Sequence, residues 1–160
     1  MKKLLATLTI CLAAVVAMAA DSAKPAVFQM RLVVETPSAD SEQLICQSTN
    51  KDTGQVSVEK LEVQKKVLLD QTAVKSAVAS TNWHGYSQID FSLTPDGTAR
   101  FAEITGQNIG KRLAIVIDGQ LITAPTIQSA ITGGKGQITG NFTEQEAKDL
   151  AAKINKAIAR

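Results

Sequence analysis

Leu113-Ala114-Ile115-Val116-Ile117-Asp118-Gly119-Gln120-Leu121-Ile122 is the stretch on which the fold turns. Its first five residues are apolar without interruption and end in three β-branched side chains, which suits a central strand covered on both faces. Asp118-Gly119 then supplies the two positions that must take positive φ in a two-residue hairpin turn. Leu121-Ile122 therefore folds back as the partner strand.

Toward the C-terminus, Pro125 ends regular pairing, and Gly133-Gly134-Lys135-Gly136 predicts a mobile loop ahead of a strand at Ile138. Thr143 and Glu146 have the spacing of a capping box. Behind it, Ala147, Leu150, Ala151, Ile154 and Ile158 form one helical stripe, and Glu144 with Lys148 and Asp149 with Lys153 stand four residues apart.

Toward the N-terminus, Ile89, Phe91 and Leu93 alternate with Gln88, Asp90 and Ser92 as a strand. It gives way to Thr94-Pro95-Asp96-Gly97, where Thr94 caps a helix, Pro95 takes its first position, and Phe101, Ala102, Thr105 and Ile109 fall on one stripe. Asp70 to Ala79 reads as a short helix through Ala73, Val74, Ala77 and Val78, capped by Asp70 or Thr72. Phe28, Met30, Leu32 and Val34 mark another strand, closed by Thr36-Pro37-Ser38. After the turn Asn50 to Gly54 the apolar phase shifts from Val56 and Val58 to Leu61 and Val63, which predicts a break or bulge near Glu59-Lys60. The sum is a single compact α+β domain: an antiparallel or mixed β-sheet covered by two to three helices.

The chain has 160 residues, 44% of them hydrophobic, with 17 Lys+Arg against 15 Asp+Glu. Residues 1–19 have the order of a secretory signal peptide: Lys2 and Lys3, an uncharged apolar run, then Ala17-Met18-Ala19 before a cut. An uncleaved anchor is the competing reading, and Ile10 before Cys11 speaks against lipidation. Residues 20–26 read as a short tether and 27–160 as the domain. Loss of Lys2 and Lys3 leaves acids and bases equal in number, so nothing recruits nucleic acid by counterion release. The expected location is periplasmic or secreted, with no integral span after cleavage. Cys46 is then the one remaining cysteine, which excludes an internal disulfide; within Leu44-Ile45-Cys46 it reads as core filler.

Catalytic material is scarce. His84 is the single histidine, no Gly-x-Ser-x-Gly elbow occurs, and the histidine and cysteine content cannot supply a zinc site. Thr132 to Gly136 fits no phosphate loop. No catalytic residue, metal or cofactor is expected. Trp83, His84 and Tyr86 gather the chain's single Trp, His and Tyr around Gly85, a composition suited to gripping another chain. Two placements of Trp83 remain open from sequence: exposed at a turn, or folded back on the sheet edge.

The blocks Phe91-x-Leu93-x-x-Asp96-Gly97, Asn108-Ile109-Gly110-Lys111-Arg112 followed by the central strand and Asp118-Gly119, Ala124-Pro125-x-Ile127, Ile131-x-Gly133-Gly134, Ile138-x-Gly140-x-Phe142-Thr143 and Glu146-Ala147-x-x-Leu150-Ala151 come in a recognisable order. This resembles the head subdomain of the first periplasmic domain of the SecD family of translocase accessory proteins. The match is strongest over about residues 89–154; residues before about Leu61 match only in general pattern. The resemblance implies a head outside the membrane that binds protein or extended polypeptide, with the Sec translocation machinery as a candidate partner; the sequence departs from the family in having no set of transmembrane helices and no intramembrane acid or base, so the expectation is an exported, freestanding copy without a proton-driven part. The other expectations are a reused scaffold with an unrelated binding role, or a small hydrolase or transferase with an unrecognised site.

Overall fold

The computed structural model describes residues 27–49 and 53–159; the leader and tether expected at 1–19 and 20–26 lie outside them. Nine strands follow in chain order: β1 Phe28–Val34, β2 Ser41–Thr49, β3 Val56–Gln64, β4 Leu69–Asp70, β5 Val74–Thr81, β6 Ser87–Leu93, β7 Leu113–Ile117, β8 Gln120–Thr123 and β9 Lys135–Phe142. Helix α1, Pro95–Gln107, separates β6 from β7, and α2, Glu144–Ile158, closes the chain. The larger sheet runs β2-β3-β1-β7-β8 with β4 also on β1, the smaller β5-β6-β9, and every pairing is antiparallel. The α+β class with two helices stands.

Strand β7 is buried at all five residues. Leu113, Ile115 and Ile117 face the main core, where Phe28, Met30, Phe91, Ile138, Phe101 and Ile154 bring in β1, the smaller sheet and both helices. Ala114 and Val116 face a second cluster with Leu61, Val63, Leu121 and Ala124. The larger sheet thus curls so that β2 and β3 fold over β7 and β8. Asp118 at φ 52° and Gly119 at φ 78° make the tight turn between the last two.

Both helices start on threonine side chains. Thr94 accepts from the Gly97 N–H, with Pro95 at the first position, and Thr143 and Glu146 complete a reciprocal capping box. Glu144 pairs with Lys148. Lys153 does not meet Asp149; it reaches Asp118 at 3.0 Å and so ties α2 to the β7–β8 turn, while Asp149 accepts from Gln145.

Four expectations are corrected. The helix expected over Asp70 to Ala79 is a 3-10 turn, Gln71–Ala73, capped by Asp70, followed by β5. A bulge at Lys75 explains the misleading spacing: Val74 pairs with Leu93 and Ser76 with Ser92, so Val74 and Ala77 are both buried three residues apart. Strand β3 does not break at Glu59-Lys60; its register with β2 is continuous. The phase change arises because the hairpin's outer half leaves the core and exposes Val56 and Val58. The loop expected through Gly136 stops at Gly134, since Lys135 and Gly136 already pair with Ser92 and Phe91. Ile109 lies past the end of α1 and is exposed.

Gly97 sits where α1 crosses the 3-10 turn, and a Cβ there would press into the Ala73 carbonyl and Cβ. Gly106, on the same helix, would meet the Ala130 Cβ at an ordinary 3.6 Å. Gly97→Ala is therefore expected to cost about 2 kcal/mol, whereas Gly106→Ala stabilises by roughly 0.5–1 kcal/mol through helix propensity. Urea unfolding of the two variants checks the contrast.

Candidate functional site

The three aromatics lie on the loop between β5 and β6. Asn82 organises it: its side-chain Oδ1 accepts from the N–H groups of His84 and Tyr86, both at 3.0 Å, and its backbone bonds Gly85 and Tyr86. This short network, with Gly85 at φ 83°, leaves Trp83 nothing to fold back on. Trp83 is 88% exposed and Tyr86 48%. The Trp83 ring lies against His84, whose ring is 6.3 Å from that of Tyr86. The structure thus takes the exposed placement for Trp83.

A groove is formed by other elements and is lined by none of these three aromatics. Ser87 pairs with Phe142 and Gln88 with Thr139, so Gly140 and Asn141 loop out of the β9 ladder. Gly140, Asn141 and Phe142 form one bank of a cavity of about 930 Å³. The β8 residues Leu121 to Thr123, with Ala124 and Pro125 after them, form its floor. Ile45, Cys46, Gln47 and Glu59 of the β2–β3 hairpin form the second bank, and Glu146, Asp149, Leu150 and Lys153 of α2 close the side. Since β8 and β9 are outer strands of their sheets, each has one side without a strand partner.

Arg112, just before β7, governs the electrostatics. It donates from Nη1 and Nη2 to the two oxygens of Glu59, at 2.6 and 3.2 Å, and from Nε to the Ala124 carbonyl at 2.9 Å. The hydrogen bond from Arg112 holds the Glu59 carboxyl below the usual carboxylate range, and the same bond raises the guanidinium further. Cys46 stands opposite Glu59 in the ladder, half-buried, with Sγ 3.3 Å from the Ile122 carbonyl. Its thiol is pushed up, first by burial and then by Glu59, with Arg112 opposing. A raised thiol is a poor nucleophile at neutral pH. It packs on the second cluster, as filler would, yet it also lines the seam.

The remaining residues singled out from sequence do not join this site as a set. Pro95 and Gly97 begin α1, Asp118 and Gly119 turn β7 into β8, and Gly133 and Gly134 precede β9, where the Gly134 carbonyl accepts from Leu93. Pro125 and Gly140 alone among them line the groove. His84 and Cys46 belong to different sheets, and the described residues hold no group of three or more His, Cys, Asp or Glu placed to bind a metal. Glu59, Arg112 and Phe142 were not legible as groove residues, because they come from three separate elements; the phase change near Glu59 was the one local trace.

Among known families, the SecDF P1 head subdomain matches residues 42–158. The protein translocase subunit SecD of Sebaldella termitidis is 48% identical over 84 residues, covering 52% of this chain and 21% of that protein. SecD of Rickettsia conorii is 48% identical over 89 residues, 56% of this chain and 17% of the relative, and SecD of Aquifex aeolicus 44% identical over 89 residues, 56% and 18%. The chain thus spans about a fifth of the length of these relatives. A solved structure of SecDF, described as a membrane component that enhances protein export, aligns with 81% of this chain and 61% of its own at a TM-score of 0.61 and 30% identity. The crystal structure of SecDF in a super-membrane-facing form aligns with 81% and 18%, at 0.62 and 32%.

The state of Cys46 is open to a direct check. Its alkylation by iodoacetamide at pH 7.5 is expected to be roughly tenfold slower than that of a free thiol, and Glu59→Gln, which removes one of the two influences raising the thiol, is expected to speed it. A wild-type rate equal to the free thiol's would contradict the placement.

Proposed function

Because this chain belongs to the SecDF P1 head subdomain family, we propose that it is a non-catalytic binding module for extended polypeptide, working outside the membrane in protein export. The observation that carries the proposal is Trp83, 88% exposed on a loop fixed by Asn82; the groove lined by the outer strands β8 and β9 is a second surface. An exposed tryptophan on an ordered loop is unusual for a surface with no partner.

The two parts of the site suit an extended chain in different ways. Outer strands offer backbone donors and acceptors that any peptide satisfies, whatever its sequence. The rings of Trp83 and Tyr86 add contact area that is tolerant of sequence and costs little side-chain entropy. A module that handles many partners needs both properties. The periplasmic side is the corresponding location, and no helix among the described residues is long and apolar enough to cross a membrane. The raised Cys46 thiol and its distance in the fold from His84 support a role without bond chemistry. The SecD relatives supply the candidate partner, the Sec translocation machinery.

The double variant Trp83→Ala, Tyr86→Ala is expected to keep its unfolding midpoint within about 2 °C, since neither ring belongs to the core. Its affinity for a carboxymethylated, permanently unfolded polypeptide, followed by fluorescence anisotropy, is expected to fall roughly tenfold or more. Undiminished affinity in the folded double variant would remove the aromatic tip from the site.

A further inference from the structure

The outward edge of β8 is already occupied. Cys46 Sγ lies 3.3 Å from the Ile122 carbonyl, and Glu59, directly across the β2–β3 ladder from Cys46, grips Arg112, which in turn holds the Ala124 carbonyl. One rung of the hairpin therefore reaches both the end of β8 and the residue after it. Hydrogen-bonded strands stand about 4.8 Å apart, so a third strand between β2 and β8 needs about twice that spacing. The contact at Cys46 leaves no such room.

The rung is held by the packing of half-buried Cys46 on the second cluster and by polar contacts that stand largely in water. The Glu59 and Arg112 side chains are 51% and 36% exposed, and a thiol is a poor donor. Beyond it, the described β3 residues Val56 through Val58 are all exposed. Before it, Leu44, Leu61 and Val63 anchor the base in the second cluster. A base fixed in the second cluster, an exposed outer stretch of β3 and a largely solvent-exposed ion pair between them make a strap that can lift without unfolding the domain.

We propose that the β2–β3 hairpin is an autoinhibitory strap, latched by Glu59 and Arg112, which occupies the β8 edge until an incoming extended polypeptide displaces it. The proposal rests on the polypeptide-binding reading above and adds the step that controls access. In this arrangement the chain covers its own edge, which limits indiscriminate pairing through it.

Two measurements on the full chain test it, with a carboxymethylated unfolded polypeptide as probe. Spin labels at Ser57→Cys and Ala152→Cys, in a Cys46→Ser background that retains a donor toward Ile122, report the distance from strap to α2. Addition of the probe is expected to lengthen it by about one strand spacing, roughly 5 Å. In stopped-flow binding, Glu59→Gln is expected to associate at least about fivefold faster than wild type, and Glu59→Asp, which keeps a carboxylate for Arg112, to stay nearer the wild-type rate. Wild-type binding with an unchanged label distance, or with no acceleration in Glu59→Gln, overturns the strap and leaves the binding function standing. Binding that appears only once the latch is cut supports the strap, and its absence from every variant overturns both readings.

Discussion

Burial of Leu113 to Ile117 on both faces is the constraint from which the rest of the domain follows. A strand with no solvent-facing side must be covered twice, and the two coverings are different in kind. On one side the smaller sheet and both helices meet Leu113, Ile115 and Ile117. On the other, no helix is available, so the larger sheet supplies the cover by curling β2 and β3 back over Ala114 and Val116. That curl brings the outer strand β2 to the outer strand β8, so that the hairpin becomes one bank of the groove. Site and core thus share one cause.

Edge strands decide where such a domain can be touched. The outer side of β5 is closed by Asn155 of α2, whose carboxamide accepts from the Ala77 N–H at 2.9 Å and donates to its carbonyl at 2.7 Å, imitating one rung of a ladder. The same helix is tied by Lys153 to the β7–β8 turn. With α2 fixed at two places, its face bearing Glu146, Asp149 and Leu150 becomes a wall standing over β8 and β9. Closing β5 and covering β8 with a weak catch are two solutions to the aggregation hazard of unpaired strands. The first is made by two hydrogen bonds from one amide, the second by an ion pair and a thiol contact.

Elements governed by local chemistry were legible in the sequence. The β7–β8 turn follows from the positive φ that Asp118 and Gly119 tolerate, both helix starts from Thr94 and Thr143, and β1 from its period of two. Where a non-local pairing set the outcome, the pattern misled. A single bulge at Lys75 gave β5 the three-residue spacing of a helix, and the departure of the hairpin from the core gave β3 the appearance of a break. The aromatic tip was visible as composition, but its exposure was decided by Asn82, whose bonds to two N–H groups fix the loop. The groove left almost no local trace, since β2, β3, β8, β9 and α2 each contribute a few residues and none of them carries a motif for it.

The proposed function calls for recognition through backbone and aromatic surface. Sequence-independent binding cannot rely on a pocket shaped for one side chain, because every well-fitted pocket discriminates. It can rely on groups common to all chains, and a strand edge presents them at a fixed spacing. Such an edge is indiscriminate toward its own kind as well, so a domain that exposes one needs a cover weak enough for a ligand to displace. Glu59 with Arg112 meets that requirement better than apolar packing would. An ion pair half in water has solvent ready to replace each partner as it opens, whereas lifting an apolar contact exposes surface that water does not favour.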